Sequence, residues 1–181
     1  DETSMVDLSL MRALLAALKN EWKNGGYTVG RTGERLLLGG HGWTLCCTMP
    51  VLPRKVLALL VEHLGEIPAA GDCWTVSKKG GSQTAILQVA DKEFLAALDA
   101  RGADVAQTRL TFGGWRVWQE KQTLHVLMMN EDLTAIVELP REGTAQSVKD
   151  GIVKDAGPDV LLVISQGIPP EAKYLEGVQW K

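Results

Sequence analysis

The run Cys73-Trp74-Thr75-Val76-Ser77-Lys78-Lys79-Gly80-Gly81-Ser82-Gln83-Thr84-Ala85-Ile86-Leu87 has the form of a β-hairpin. Strand-forming residues flank a Lys-Lys-Gly-Gly turn. Two other stretches resemble it. Tyr27 to Leu38 begins Tyr-Thr-Val and turns at Gly33, and Trp115 to Leu127 begins Trp-Arg-Val and turns near Lys121. Each opens aromatic-x-Val and returns as an apolar strand. The openings at Tyr27, Trp74 and Trp115 are spaced unevenly, so the recurrence suggests at most a degenerate helix–hairpin repeat.

Working outward, helices are expected before the hairpins. Leu8, Met11, Leu15, Leu18 and Trp22 alternate by three and four, which predicts an amphipathic helix over Val6–Lys23 ended by Gly25-Gly26. Pro53–Leu64 reads as a second helix, with proline in its first turn. Asp91 as N-cap and Phe94, Leu95 and Leu98 as the inward face predict a third, ending at Arg101-Gly102. A short fourth is expected over Ala145–Ala156, weakened by Gly151.

Between these lie strands. Trp43–Met49 follows the Gly39–Gly42 turn. Thr108–Phe112, Trp115–Glu120, Gln122–Met129 and Leu133–Leu139 form an antiparallel meander. Asp159–Ser165 is the most apolar strand and is expected at the centre of a sheet, covered on both faces. The expected fold is α+β: antiparallel hairpins and meander in one domain over 1–181, with three or four helices packed mainly on one face. If the chain subdivides, it does so near 103–107.

Bulk properties narrow the function. The chain has 181 residues, a net charge of −3, 45% hydrophobic residues and six Trp. That composition is globular rather than disordered. The acidic balance disfavours a generic nucleic-acid binder. No apolar run approaches the roughly 18–20 residues of a membrane span. The start, Asp1-Glu2-Thr3-Ser4, is unlike a signal peptide, although a leader already removed would leave no trace. Cys46, Cys47 and Cys73 make a poor disulfide framework and suit buried thiols in a reducing, cytoplasmic, bacterial-type setting.

Chemical signatures are scarce. There is no nucleophile elbow, Walker loop or dinucleotide fingerprint. A zinc site from His41, Cys46 and Cys73 would have to be assembled by the fold, because no ligand spacing announces one, and no metal or cofactor is expected. Cys46 and Cys47 must point to opposite sheet faces, and a mid-strand apolar setting makes a thiol inert. The hairpin turns carry Arg31, Arg35, Lys78, Lys79 and Lys121. If the tips align, they form a basic rim that, with Trp74 and Trp115, could hold an anionic ligand or single-stranded nucleic acid.

The leading expectation is a non-enzymatic binding or protein-interaction module that binds a protein partner or itself. The alternatives are a small enzyme with a fold-assembled His/Cys or His/carboxylate site, using His41 or His125, and the basic-rim binder.

Overall fold

The computed structural model describes residues 8–83, 102–130, 145–148, 151–157, 160–165, 174–175, 178 and 180. Helix α1 spans Leu8–Lys23 and buries Leu14 and Leu18, with Met11, Leu15 and Trp22 packed beside them. Its end is set by glycine. The Gly26 N–H donates to the Glu21 carbonyl at 2.7 Å, and Gly26 has φ 102°. A Cβ on Gly26 would stand 2.6 Å from the Val76 carbonyl oxygen. Only glycine therefore lets the chain turn this close to its neighbour.

The chain then forms β1 (Tyr27–Thr32), β2 (Arg35–Gly40) and β3 (Trp43–Thr48). A 3-10 turn at Met49–Val51 leads into helix α2 (Arg54–Leu64), which starts one residue later than expected, with Pro53 at its N-cap. The second hairpin is β4 (Cys73–Ser77) and β5 (Gly80–Gln83). Its turn is Lys78-Lys79, and the positive φ of 124° falls on Gly80. The expected continuation through Leu87 and the expected helix at 91–101 lie outside the described residues.

The second half gives β6 (Asp104–Phe112), β7 (Trp115–Glu120) and β8 (Val126–Asn130). It ends with β9 (Ala145–Val148), β10 (Gly151–Gly157) and β11 (Val160–Ser165). Strand β6 is longer than expected because the register shifts between Gln107 and Thr111. Thr108 fills that gap: its hydroxyl donates to the Val117 carbonyl at 2.8 Å and accepts from the Leu110 N–H. The expected strand at 133–139 lies outside the described residues.

The eleven strands among the described residues join one sheet in the order β5-β4-β1-β2-β3-β11-β10-β9-β6-β7-β8. Every pairing is antiparallel. Strand β11 sits at its middle, pairing β3 through Val160↔Cys47 and β10 through Ile164↔Ile152. A run apolar on both faces belongs in that position.

The expectation of three or four helices on one face is overturned. Among the described residues there are two α-helices, and both pack on the block formed by β1, β2 and β4. The segment 145–156 is not a helix. It is the β9–β10 hairpin, with Gly151↔Val148 and Ile152↔Ser147. Local helix formers there yield to Ile152-Val153, both buried, and to ladder partners on β11 that are distant in sequence.

The hairpin likeness also has a structural cause. The first two aromatic-x-Val motifs pair with each other, Tyr27↔Val76 and Val29↔Trp74. All four side chains join the core beneath the helices. The third motif faces elsewhere: Trp115 and Val117 lie on the other face of the sheet, in a separate cluster with Val126 and Met128. The first two motifs are thus neighbouring strands of one block, whereas the third belongs to another.

Candidate functional site

Three clusters of polar side chains stand out. The first joins the end of α1 to the β2–β3 turn. Glu21 is buried at the last turn of α1. Its Oε1 accepts the His41 backbone N–H at 3.0 Å, and its Oε2 lies 2.5 Å from His41 Nδ1. The His41 ring is itself 75% exposed. Gly40 makes room for this contact. A Cβ there would collide with Trp43 Nε1, stand 2.6 Å from Trp43 Cε2 and lie 2.8 Å from Glu21 Oε1. The carboxylate thus holds both the backbone and the ring of His41 while the side chain stays largely exposed.

The second cluster lies where α1, β1 and α2 meet. The rings of Trp22 and His63 stack with centroids 4.5 Å apart and an interplanar angle of 1°. The Tyr27 hydroxyl lies 2.8 Å from His63 Nδ1. Burial raises the Tyr27 pKa, so the phenol keeps its proton and donates. His63 then accepts at Nδ1 and carries its own proton on Nε2. Burial lowers the His63 pKa below 6.5; Glu62 opposes this and Lys19 adds to it.

The third cluster is on the far side of β7. Gln119 is buried, and its side-chain amide makes three contacts. Nε2 donates to the Leu124 carbonyl at 2.9 Å and to the Val178 carbonyl at 2.7 Å, while Oε1 accepts the Trp180 N–H at 3.1 Å. The Trp180 indole N–H donates to the Leu175 carbonyl at 2.8 Å. Leu175 and Trp180 pack against Val117, Val126 and Met128. Leu124 holds a φ of 59°, unusual for a side chain branched beyond Cβ, and Gln119 binds its carbonyl.

The expected site residues are scattered. Residues Arg31 and Arg35 flank the β1–β2 turn. Lys78 and Lys79 form the β4–β5 turn, and the register Tyr27↔Val76 puts that turn at the opposite end of β1. Five residues of strand, about 17 Å, separate the two tips. Lys121 follows β7, across the sheet. Trp74 packs against the core under the helices, whereas Trp115 belongs to the opposite cluster. The structure does not bring these residues together as one rim.

The thiols are likewise apart. Cys47 lies in the helix-facing core, and burial, with Cys46 beside it, pushes its thiol up to about 12. Cys46 and Cys73 are buried too. Strands β1 and β2 intervene between theirs, a separation of about 14 Å. Among the described residues no three metal-ligating side chains cluster. His41 gains a carboxylate, and its partner Glu21 carried no sequence signal, lying 20 residues away. Gln119 was equally silent, since its partners lie 59 and 61 residues on. No helix among the described residues is long and apolar enough to cross a membrane.

No protein-family model and no curated protein matches the chain. Among solved structures it is similar to a protein assigned as a DNA polymerase III beta subunit from Eubacterium rectale ATCC 33656. That match has 7% identity and a TM-score of 0.42, covering 91% of this chain and 64% of the other. It is also similar to the DNA polymerase sliding clamp of Pseudomonas aeruginosa, at 10% identity and a TM-score of 0.37, covering 92% of this chain and 64% of that one. The ligand-bound form of the same clamp gives 11% identity and a TM-score of 0.36, with 91% and 65% covered. The chain thus spans a little under two thirds of the length of the structures it matches.

Proposed function

We propose that the chain is a protein-interaction module whose contact surface lies on the sheet face that carries Phe112 and Trp115. The observation that carries this reading is that large apolar side chains stay exposed on and beside that face. Among the described residues the large exposed ones are Val61, Phe112, Tyr174 and Val178. Phe112 is 43% exposed and pairs with Trp115, so both side chains lie on the same face of the sheet. Tyr174 is 73% exposed and Val178 is 50% exposed, and both flank residues seated on that face. Apolar side chains left exposed along one sheet face mark a candidate association surface. Chemical crosslinking of the chain in native extract tests it. The principal crosslinked species is expected to disappear with the double substitution Phe112→Ser and Tyr174→Ser. Its persistence would remove the reading.

A second reading takes an anionic partner at Lys78 and Lys79. The Lys78 N–H donates to the Trp22 carbonyl at 2.9 Å, which seats this turn against the end of α1, where Lys23 stands. The local charge is positive on a chain whose net charge is −3. Binding to a polyanion that weakens steeply with salt and is lost in Lys78→Glu/Lys79→Glu supports it. Salt-independent binding, or none at low salt, would end it.

A further inference from the structure

Helix α1 ends on Asn24-Gly25-Gly26, in a turn whose hydrogen bonding is incomplete. The Gly26 N–H reaches back to the Glu21 carbonyl at 2.7 Å, and Gly25 holds a φ of 113°. In a helix end of this form the first glycine normally donates its N–H to the carbonyl three residues before it. Here that carbonyl, on Trp22, accepts the Lys78 N–H at 2.9 Å, and among the described residues the Gly25 N–H makes no hydrogen bond. Residues Asn24 and Gly25 are both exposed. Of the three asparagines in the chain, Asn24 alone precedes a glycine, which has no side chain to shield the nitrogen from the neighbouring amide. What restrains that amide is Asn20. Asn24 Nδ2 donates to the Asn20 carbonyl and to Asn20 Oδ1, each at 2.9 Å, which draws the side chain back along the helix and away from the Gly25 nitrogen.

We propose that Asn24-Gly25 is a self-modification site, at which the folded chain deamidates when the Asn20 clasp opens. The reaction uses only the chain and water. The Gly25 nitrogen gives up its proton and attacks Asn24 Cγ. A new Cγ–N bond forms, the Cγ–Nδ2 bond breaks, and Nδ2 leaves with that proton as ammonia. Water then opens the cyclic imide at either carbonyl, leaving an aspartate at position 24 or its β-linked isomer. Nothing is oxidised or reduced. Both products disturb a junction that has no slack. Each removes the donor that bound Asn20 and adds a negative charge at the negative end of α1. The β-linked isomer also lengthens the main chain by a methylene just before Gly26, where even a Cβ would stand 2.6 Å from the Val76 carbonyl oxygen. The Glu21–His41 contact lies alongside, since a Cβ on Gly25 would be 3.8 Å from His41 Cε1. Deamidation therefore loosens the end of α1 from the β2–β3 turn.

The full chain is incubated in mildly alkaline buffer and then cleaved after glutamate under acidic conditions, and the fragment of residues 22–34 is followed by mass spectrometry. That fragment is expected to gain the mass of an amide-to-acid exchange and to resolve into two isomers. Asn24→Gln should abolish the gain. Asn20→Ala removes one of the two restraining bonds, so it should speed the gain about two- to tenfold, the equivalent of one net hydrogen bond. An equal rate in Asn20→Ala overturns the proposal. So does an unmodified fragment after about a hundred half-lives of the urea-unfolded chain, the slowing that both bonds together could impose. Should Asn20→Ala fail to fold, urea decides with the unsubstituted chain. Opening two surface bonds exposes little new surface, so the rate is expected to stay level at urea concentrations that leave the chain folded. A rate that climbs with urea in step with the unfolded fraction would place the reaction in the unfolded chain and overturn the proposal. For the consequence, Asn24→Asp should lower the folding equilibrium constant about two- to fivefold. An unchanged urea midpoint would overturn the loosening.

Discussion

Glu21 and His41 are joined twice: one carboxylate oxygen takes the histidine backbone N–H at 3.0 Å, and the other lies 2.5 Å from Nδ1 of the ring. The carboxylate is buried while the ring is largely exposed. Truncating the two partners should therefore have unequal effects. Glu21→Ala strands the His41 N–H and is expected to cost about 1–3 kcal/mol, whereas His41→Ala keeps the backbone bond and should cost less. Urea unfolding of both variants measures the difference. Equal losses would show that the backbone half of the clasp contributes nothing.

Gly40 is the second point of tight fit. Gly40→Ala places a methyl group against the Trp43 ring and Glu21 Oε1, and is expected to destabilise by about 1–3 kcal/mol. In a double-mutant cycle, Trp43→Phe should recover part of that loss, since the smaller ring withdraws the crowded edge. Strict additivity in thermal or urea unfolding would contradict the packing described.

His63 makes stability depend on pH. Its pKa is lowered in the fold by burial, so below pH 6.5 the unfolded chain binds this proton before the native chain does. The stability it contributes is complete above 6.5 and is lost as pH falls through the lowered native value. His63→Gln should flatten the decline in urea midpoint between about pH 7.5 and 5 relative to the unsubstituted chain. An unchanged slope would mean that other groups carry the whole dependence.

The thiols should be silent until the fold opens. With the Cys47 thiol pushed up to about 12 and all three cysteines buried, native protein is expected to release no rapid chromophore from a disulfide reagent. Unfolded protein should react at all three. Fast reaction of even one thiol in the native state would contradict their burial.

Gln119 offers a sharper contrast. Gln119→Ala removes three hydrogen bonds, but Gln119→Glu also turns a carboxylate toward the Leu124 and Val178 carbonyls. The glutamate variant should be the less stable, and its Trp180 amide should exchange faster. Hydrogen exchange and thermal unfolding read both. A glutamate variant as stable as the parent would mean that the amide orientation is misassigned.

Much of the local architecture was legible in the residues. The turns at Gly33, at Lys78-Lys79 and at Gly113-Gly114 all join neighbouring strands, because turn chemistry is local. Strand β11 declared its central place through its unbroken apolar run. What was not legible depends on partners distant in sequence. The stretch Ala145–Val148 has weak preferences of its own and becomes a strand because β10 lies beside it. The relative placement of the basic tips was illegible for a related reason: nothing in Arg31 or Lys78 states the register of β1 with β4, and that register sends the two tips in opposite directions. Glu21 gave no sign of its role, because its partner His41 lies 20 residues away.

The place of β11 sets the order in which the molecule can be completed. Residues 160–165 bridge β3, made before residue 50, and β10, made after residue 150. During synthesis the first five strands can assemble with their helices, but β3 keeps an open edge until residues 160–165 have been made. An exposed strand edge recruits other strands. A nascent chain stalled short of residue 160 is therefore a template for aggregation, and the strand that ends that exposure is made long after the edge it covers.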